Sequence, residues 1–274
     1  MRALPLIIAT ITAIALAGPV VRFLAAGAHL RRNYRGVDLP CPLGLLVVAA
    51  AVFALVPLAL LSGLFDLDSL DVAGSALVLG VALQGLADDA YAGESRGWRG
   101  HARAVAGGGF STGLLKAAGT LGLALAWSAL TQPGVARFLL ASLVLVLTTN
   151  IFNLLDLRPG RAVKVFVLLA VLCSVIAMNA TPLFELGIWA GPIVVAGLLD
   201  LRERGMLGDT GSNAVGVVAG LWLVLTLDTT GLAIAAGLLV LITVYGELRS
   251  INSLVESTPG LRHLDSIGRV RASA

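Results

Sequence analysis

Nine apolar runs separated by charged or turn-forming segments constrain this chain more than any other feature. Their approximate limits are Leu4 to Val21, Leu43 to Phe65, Val72 to Leu86, Phe110 to Leu130, Phe138 to Leu155, Val165 to Asn179, Leu183 to Leu199, Ala214 to Leu227 and Leu232 to Gly246. In a bilayer every backbone polar group must be satisfied within the protein, so charge-poor runs of roughly 17 to 25 residues read as membrane-crossing helices. The third, sixth, eighth and ninth runs are short, Lys116 sits inside the fourth and Glu185 near the outer end of the seventh. The expected count is therefore about nine, within a range of eight to ten. Composition agrees: 58% of the 274 residues are hydrophobic and 13% charged, unlike a soluble domain. The expected fold is an all-α, polytopic transmembrane helical bundle. Residues 1–251 form its membrane domain and 252–274 a cytoplasmic tail. The first run has the outline of a cleavable signal, with Arg2 before it and small residues from Ala25 to Ala28. Its length and the polytopic remainder favour an anchor.

With nine crossings, segments 22–42, 87–109, 156–164, 200–213 and 247–274 share one side and hold sixteen arginines and lysines, whereas the opposite loops hold Arg2 and Arg137. Basic residues in short loops stay in the cytoplasm, so this bias predicts an outside N-terminus and an inside C-terminus. The opposite loops carry Asp66, Asp68 and Asp71. The net charge of +3 reads as topology, with no need for a nucleic-acid partner. Cys41 and Cys173 fall in a cytoplasmic loop and inside a run, which favours neither a disulfide nor a metal site. No heptad, solenoid period, phosphate-binding Walker loop or strand pattern is present.

Three polar constellations stand at the cytoplasmic ends of apolar runs. In Gly85-Leu86-Ala87-Asp88-Asp89-Ala90-Tyr91 two carboxylates directly follow a run. Adjacent carboxylates at the edge of the hydrocarbon repel, so a cation or a proton helps to hold them; a solvated helix end is the plainer account. In Asn150-Ile151-Phe152-Asn153-Leu154-Leu155-Asp156 the spacing of three puts Asn150, Asn153 and Asp156 at steps of about −60° round a helix. Such a polar fan serves either ligand contact or interhelical hydrogen bonding. In Gly208-Asp209-Thr210-Gly211-Ser212-Asn213 the glycines permit close backbone approach, hydroxyls and a helix N-terminus offer donors to phosphate oxygens, and a lone aspartate suits Mg²⁺. An N-capped helix start accounts equally well for Thr210 or Ser212, but not for Asp209 beside two further carboxylate sites on the same face.

Taken together the three motifs resemble those of the polyprenyl-phosphate N-acetylhexosamine-1-phosphate transferases, the MraY/WecA-like glycosyltransferase 4 family. Asp88-Asp89 is similar to the family's aspartate pair. Asn150, Asn153 and Asp156 resemble its Asn-x-x-Asn-x-x-Asp motif, and Gly208 to Ser212 its Gly-Asp-x-Gly-Ser motif. Order and placement also agree, over most of the chain. The resemblance implies a cytoplasmic cleft in the cell membrane, where the phosphate of a polyprenyl phosphate attacks the β-phosphate of a UDP-amino-sugar. UMP leaves and the sugar-1-phosphate stays on the lipid, for cell-envelope glycan synthesis such as peptidoglycan. It implies Mg²⁺, with Mn²⁺ as a substitute, held by Asp209 with Asp156. Asp88, Asp89 and Asp156 take the catalytic roles. Asn150, Asn153, Lys116, Arg158, Arg161, Thr210, Gly211, Ser212 and His263 are the substrate-binding candidates, and a homodimer is the expected assembly.

The chain also departs from that pattern. Ala92 stands where a lysine commonly follows the aspartate pair, and Asp156 continues as Leu157-Arg158-Pro159-Gly160 in place of Asp-Gly-x-Asp/Asn-Gly. Only His263, beside Arg262, remains of the family's histidines in the last cytoplasmic loop. Arg158, Arg161 and Lys164 either replace the missing cation at the phosphates or only anchor their loop. A lipid-linked substrate transporter would place its polar groups at mid-membrane in an inverted repeat, and no repeat is present. A catalytically impaired relative acting as scaffold or regulator is the other alternative that the departures allow.

Overall fold

A computed structural model of the protein describes residues 2–64, 71–91 and 112–270. Ala92, Asp66, Asp68, Arg96, Arg99, Arg103 and Arg271 lie outside the described residues. In chain order the elements are α1 (Leu4–Ala26), β1 (Leu30–Arg32), β2 (Asp38–Pro40), α2 (Gly44–Leu64), α3 (Val72–Tyr91), α4 (Thr112–Thr131), α5 (Val135–Leu155), α6 (Arg161–Ile176), α7 (Thr181–Glu185), α8 (Gly187–Leu201), α9 (Gly208–Thr226), α10 (Thr229–Leu248), α11 (Ile251–Ser257) and α12 (Pro259–Ser266). The protein is nearly all-α. Among the described residues six helices, α1 to α5 and α10, are long and apolar enough to cross a membrane.

Eight of the nine apolar runs each fall on one long helix, and the seventh, Leu183 to Leu199, is divided between α7 and α8 at Leu186; three of the long helices differ from a lipid-facing span. α6 has 16 residues and α8 has 15. α9 has 19, begins with the polar Gly208 to Asn213 stretch, and is buried without interruption from Thr210 to Val224. All three run between the same two ends as their longer neighbours. The first turn of α6 and the last turn of α8 meet where Gly160 N donates to the Asp200 carboxylate, at 2.6 Å. At the other end Asn179, just past α6, donates to the Leu225 carbonyl of α9, and Trp189 in α8 donates to Ser75 in α3. α3 and α10 are longer than the apolar runs that mark them, 20 residues each, because helix geometry continues through Asp88, Asp89, Glu247 and other polar positions.

α9 is the axis of the bundle, packed by α2, α3, α5 and α6; α10 covers α5, α4 bridges α3 and α5, and α1 packs on α2 and α8. Small residues set these distances. A Cβ at Gly216 would lie 2.7 Å from Thr149 Cα, and one at Gly220 2.5 Å from Thr148 Oγ1, so α9 and α5 touch nearly backbone to backbone, as small-residue interfaces allow in membranes.

An unexpected element is the antiparallel ribbon of β1 and β2, in register Leu30↔Pro40, Arg31↔Leu39 and Arg32↔Asp38. Its strands have three residues each, too few to show alternation. Asn33 and Arg35, in the ribbon's turn, both bond the carboxylate of Glu203 between α8 and α9, which holds the ribbon over the end of the bundle.

Candidate functional site

The three polar constellations converge at the end of the bundle that also carries the ribbon. Gly85 permits it: a Cβ there would lie 2.4 Å from the Asp209 carbonyl oxygen, so only glycine lets the last turn of α3 cross the first turn of α9. Gly208 completes the junction in the left-handed region, at φ +72°, with Pro42 Cβ 2.6 Å from where its own Cβ would be. A side chain would be both strained and obstructed there.

The two carboxylates of α3, expected after the helix, sit inside its last turn and do different work. Asp89 accepts from Asp209 N at 3.1 Å, Thr210 N at 2.8 Å and Thr210 Oγ1 at 2.7 Å. It also receives Arg31 Nη1 from the ribbon at 3.2 Å, and its side chain is 3% exposed. Asp89 is thus the N-terminal cap of α9, supplied by another helix. α9's own N-cap residue, Leu207, has no acceptor side chain, and a carboxylate there is favoured by the free N–H groups and the helix dipole.

From its sequence the glycine-aspartate motif is expected to offer this helix N-terminus to phosphate. The helix N-terminus that would hold phosphate is filled by Asp89. Thr210 spends its hydroxyl on that carboxylate, Gly211 packs on Gly44, and Ser212 is fully buried with its hydroxyl turned to the Asp209 carbonyl. The hydroxyls of Thr210 and Ser212 are thus turned to acceptors within the protein.

What stays open is a smaller cluster. Lys116 Nζ lies 3.5 Å from Asp209 Oδ2 and 3.9 Å from Asp88 Oδ2, and all three side chains are partly exposed. Asn153 Nδ2 donates to Asp209 Oδ1 at 3.1 Å and to Asn213 Oδ1 at 3.2 Å. Asn213 lies one turn beyond Asp209, is fully buried, and leaves its Nδ2 without a partner. The Asp88 and Asp209 carboxylates both stand within 4 Å of the same Lys116 ammonium. Two carboxylates this close share a proton or need a cation. Among the described residues no group of three or more His, Cys, Asp or Glu side chains is arranged to hold a metal. The pair Asp88 and Asp209 still fits Mg²⁺, which binds through one or two carboxylates, with waters and substrate phosphates completing its shell.

The polar fan on α5 is only partly realised. Asn153 faces the cluster, and Asn150 is half-buried with no role in it. Asp156 is the C-cap, at φ −75° and ψ 38°, and leaves the helical fan because Pro159 disfavours helix just ahead of it and Gly160 adopts φ +70°. Asp156 instead lines a pocket of about 350 Å³ with Arg32, Asn33, Tyr34, Arg158, Asp200 and Asn252. Burial, then the charges of Asp200, Asp209 and Asp89, push its carboxyl well above the usual range. Asp156 therefore belongs electrostatically to both pocket and cluster.

The basic run after Asp156 is turned the other way. Arg158 stacks over Tyr34, 4.5 Å from the ring centroid, and pairs with Glu256 at 2.8 Å. Arg161 is 4% exposed and pairs with Asp265 at 2.8 Å, and Lys164 donates to carbonyls at Leu264, Asp265 and Ile267. These cations dock residues 251–270. His263 is exposed on α12 and outside the cluster. Lys116, from within an apolar run, is the cation beside the carboxylates. Arg31, Arg32, Tyr34, Asp200 and Asn252 lie outside the three motifs, and Asn213, the last residue of the glycine-aspartate motif, is not among the site residues expected from the sequence.

Compared with known proteins, the chain matches no protein-family model and no curated protein.

Proposed function

We propose that the protein transfers a sugar-1-phosphate from a UDP-sugar to a polyprenyl phosphate at the cytoplasmic face of the cell membrane, releasing UMP. The observation that carries this reading is the meeting of Asp88, Asp209, Asn153 and Lys116, from four helices, at the end of the bundle that also holds the pocket lined by Asp156, Arg158 and Asp200. Phosphoryl transfer between two anions needs charge neutralised and both partners held in line, and this donor set does both. A phosphate oxygen of the lipid attacks the β-phosphorus of the UDP-sugar, the bond to the bridging oxygen breaks, and UMP carries away that oxygen. Mg²⁺, or Mn²⁺ in its place, supplies charge neutralisation of the diphosphate and of the leaving UMP.

Asp209 and Asp88 are the carboxylates available to the metal. Asp88 also faces the entering lipid phosphate. Asp89, fully engaged as a cap, positions Asp209 and does not act as a base. Lys116 takes the place of a cation at residue 92, and Asn153 fixes the Asp209 carboxylate through its amide. Asp156, between cluster and pocket, serves the nucleotide end, with Arg32 and Tyr34 as the pocket's cation and ring. All nine long helices cross the bilayer, with the N-terminus outside.

Purified protein incubated with polyprenyl phosphate, Mg²⁺ and a panel of UDP-sugars should release UMP with at least one of them, and chelation should stop the release. No metal-dependent UMP release across the panel overturns the reading.

A further inference from the structure

The last helix, α12, docks the wrong way round for a helix that faces water. Its inward side is polar. Asp265 accepts from Arg161 Nε at 2.9 Å and Nη2 at 2.8 Å, and from Arg269 Nη2 at 2.6 Å. Lys164 caps its final carbonyls, and Gly268 rests on Leu201, whose Cδ2 would be 2.9 Å from a Cβ there. Its outer flank is apolar: Leu261 is 42% exposed and Leu264 56%, and Ile267, just past the helix end, is 51% exposed. A surface helix of a water-soluble protein buries such a flank and shows its charges.

The position of α12 in the fold says what covers this flank. The segment 251–270, of which α12 is a part, begins three residues after α10, a helix long and apolar enough to cross a membrane that ends at Leu248. It is fastened to the first turn of α6 by Arg161 and Lys164, and the exposed apolar residues of α6 begin immediately after, at Val167 and Leu168. The apolar flank of α12 is therefore continuous with the lipid-facing surface of the bundle and stands at its edge. On the opposite flank Arg262 and His263 are exposed, where headgroup phosphates lie.

We propose that α12 lies in the membrane interface, with Leu261, Leu264 and Ile267 at the boundary between headgroups and acyl chains and Arg262 and His263 at the headgroups. An amphipathic helix in that plane buries its apolar face to a depth of about 5 to 10 Å. Because α11 supplies Asn252 to the polar pocket, this placement ties one wall of the pocket to the membrane surface.

Spin labels on the full chain, at Leu264→Cys and separately at His263→Cys, test the placement in nanodiscs of phosphatidylglycerol and phosphatidylethanolamine. Cys41 and Cys173 are replaced by alanine, and the doubly replaced parent gives the blank. Collision with oxygen, which partitions into lipid, is compared with collision with a water-soluble nickel chelate. The oxygen-to-nickel ratio should be several-fold higher at 264 than at 263. Equal ratios place the flank in water, and low accessibility to both reagents at 264 places a protein surface over it; either overturns the proposal. Leu261→Cys gives the same contrast if Leu264→Cys does not fold. No turnover is needed, so this result is independent of the transferase reading.

Discussion

Adjacent residues with the same side chain are separated here by what their oxygens touch. Asp89 takes three hydrogen bonds from the start of α9, and Asp88 faces Lys116. Asp89→Ala should destabilise the protein by about 1 to 2 kcal/mol, the usual cost of a lost cap, whereas Asp88→Ala should leave stability nearly unchanged; denaturation of both variants in one detergent checks the contrast. Asp209→Asn keeps the shape that Asn153 recognises and removes the charge that a cation meets. It should leave the protein folded and abolish stabilisation by Mg²⁺, which for an intact site amounts to about 2.7 kcal/mol at a hundredfold excess over Kd. Melting temperature against Mg²⁺ concentration is the measurement, and an unchanged curve in the variant removes Asp209 from the metal. The third residue is Cys41, beneath Gly208. Burial, and next the charge of Asp89, push its thiol up to about 12. An unfolded thiol ionises near pH 8.5, so between about 8.5 and 12 the unfolded chain holds fewer protons and the folded state loses ground as pH rises, by about 1.4 kcal/mol per unit. Stability of the parent should fall above pH 8.5 relative to Cys41→Ala, and the two should run parallel below it.

At the scale of elements, the tail is held by buried ion pairs. Removing one partner of such a pair leaves the other uncompensated, so Arg161→Gln should free residues 251–270, raising amide exchange across α11 and α12 while α5 and α9 stay protected. Arg158→Gln, whose partner Glu256 is half exposed, should change exchange much less. Equal exchange in Arg161→Gln and the parent shows that the tail does not depend on this pair. None of this was legible in the sequence, where Arg158, Arg161 and Lys164 read either as loop anchors or as phosphate ligands, because their partners lie about a hundred residues away. The helices themselves were legible, since apolar runs of this length have no other way to satisfy their backbones. Their ends were less so: hydropathy stops at Leu86, but α3 continues through Asp88 and Asp89 because its polar last turn is bonded to α9. The same limit hid the ribbon, whose strands are too short to alternate. The three motifs do meet at one end of the bundle, but nothing in the sequence says that Asp89 is the carboxylate that caps α9.

The whole molecule is polarised between its two ends. One gathers the pairs Arg31 with Asp89, Arg35 with Glu203, Arg158 with Glu256 and Arg161 with Asp265. At the other end Arg137 donates to the carbonyls of Val224 and Leu227 at the close of α9, where a cation suits the helix C-terminus. Arg137 is thus accounted for by helix capping; the bias of sixteen against two is what predicts which end stays in the cytoplasm. Two exposed positions read the orientation directly: Thr230, at the start of α10, and Ser257, at the end of α11. In intact cells an impermeant thiol reagent should modify Thr230→Cys and reach Ser257→Cys only after lysis. With Cys173 replaced by alanine the background should be low, since the remaining Cys41 thiol is buried and un-ionised at neutral pH and thiols react as thiolates. Labelling in the reverse sense would turn the cluster outward, away from the cytoplasmic pool of nucleotide sugars, and the transfer reading would fall with the orientation.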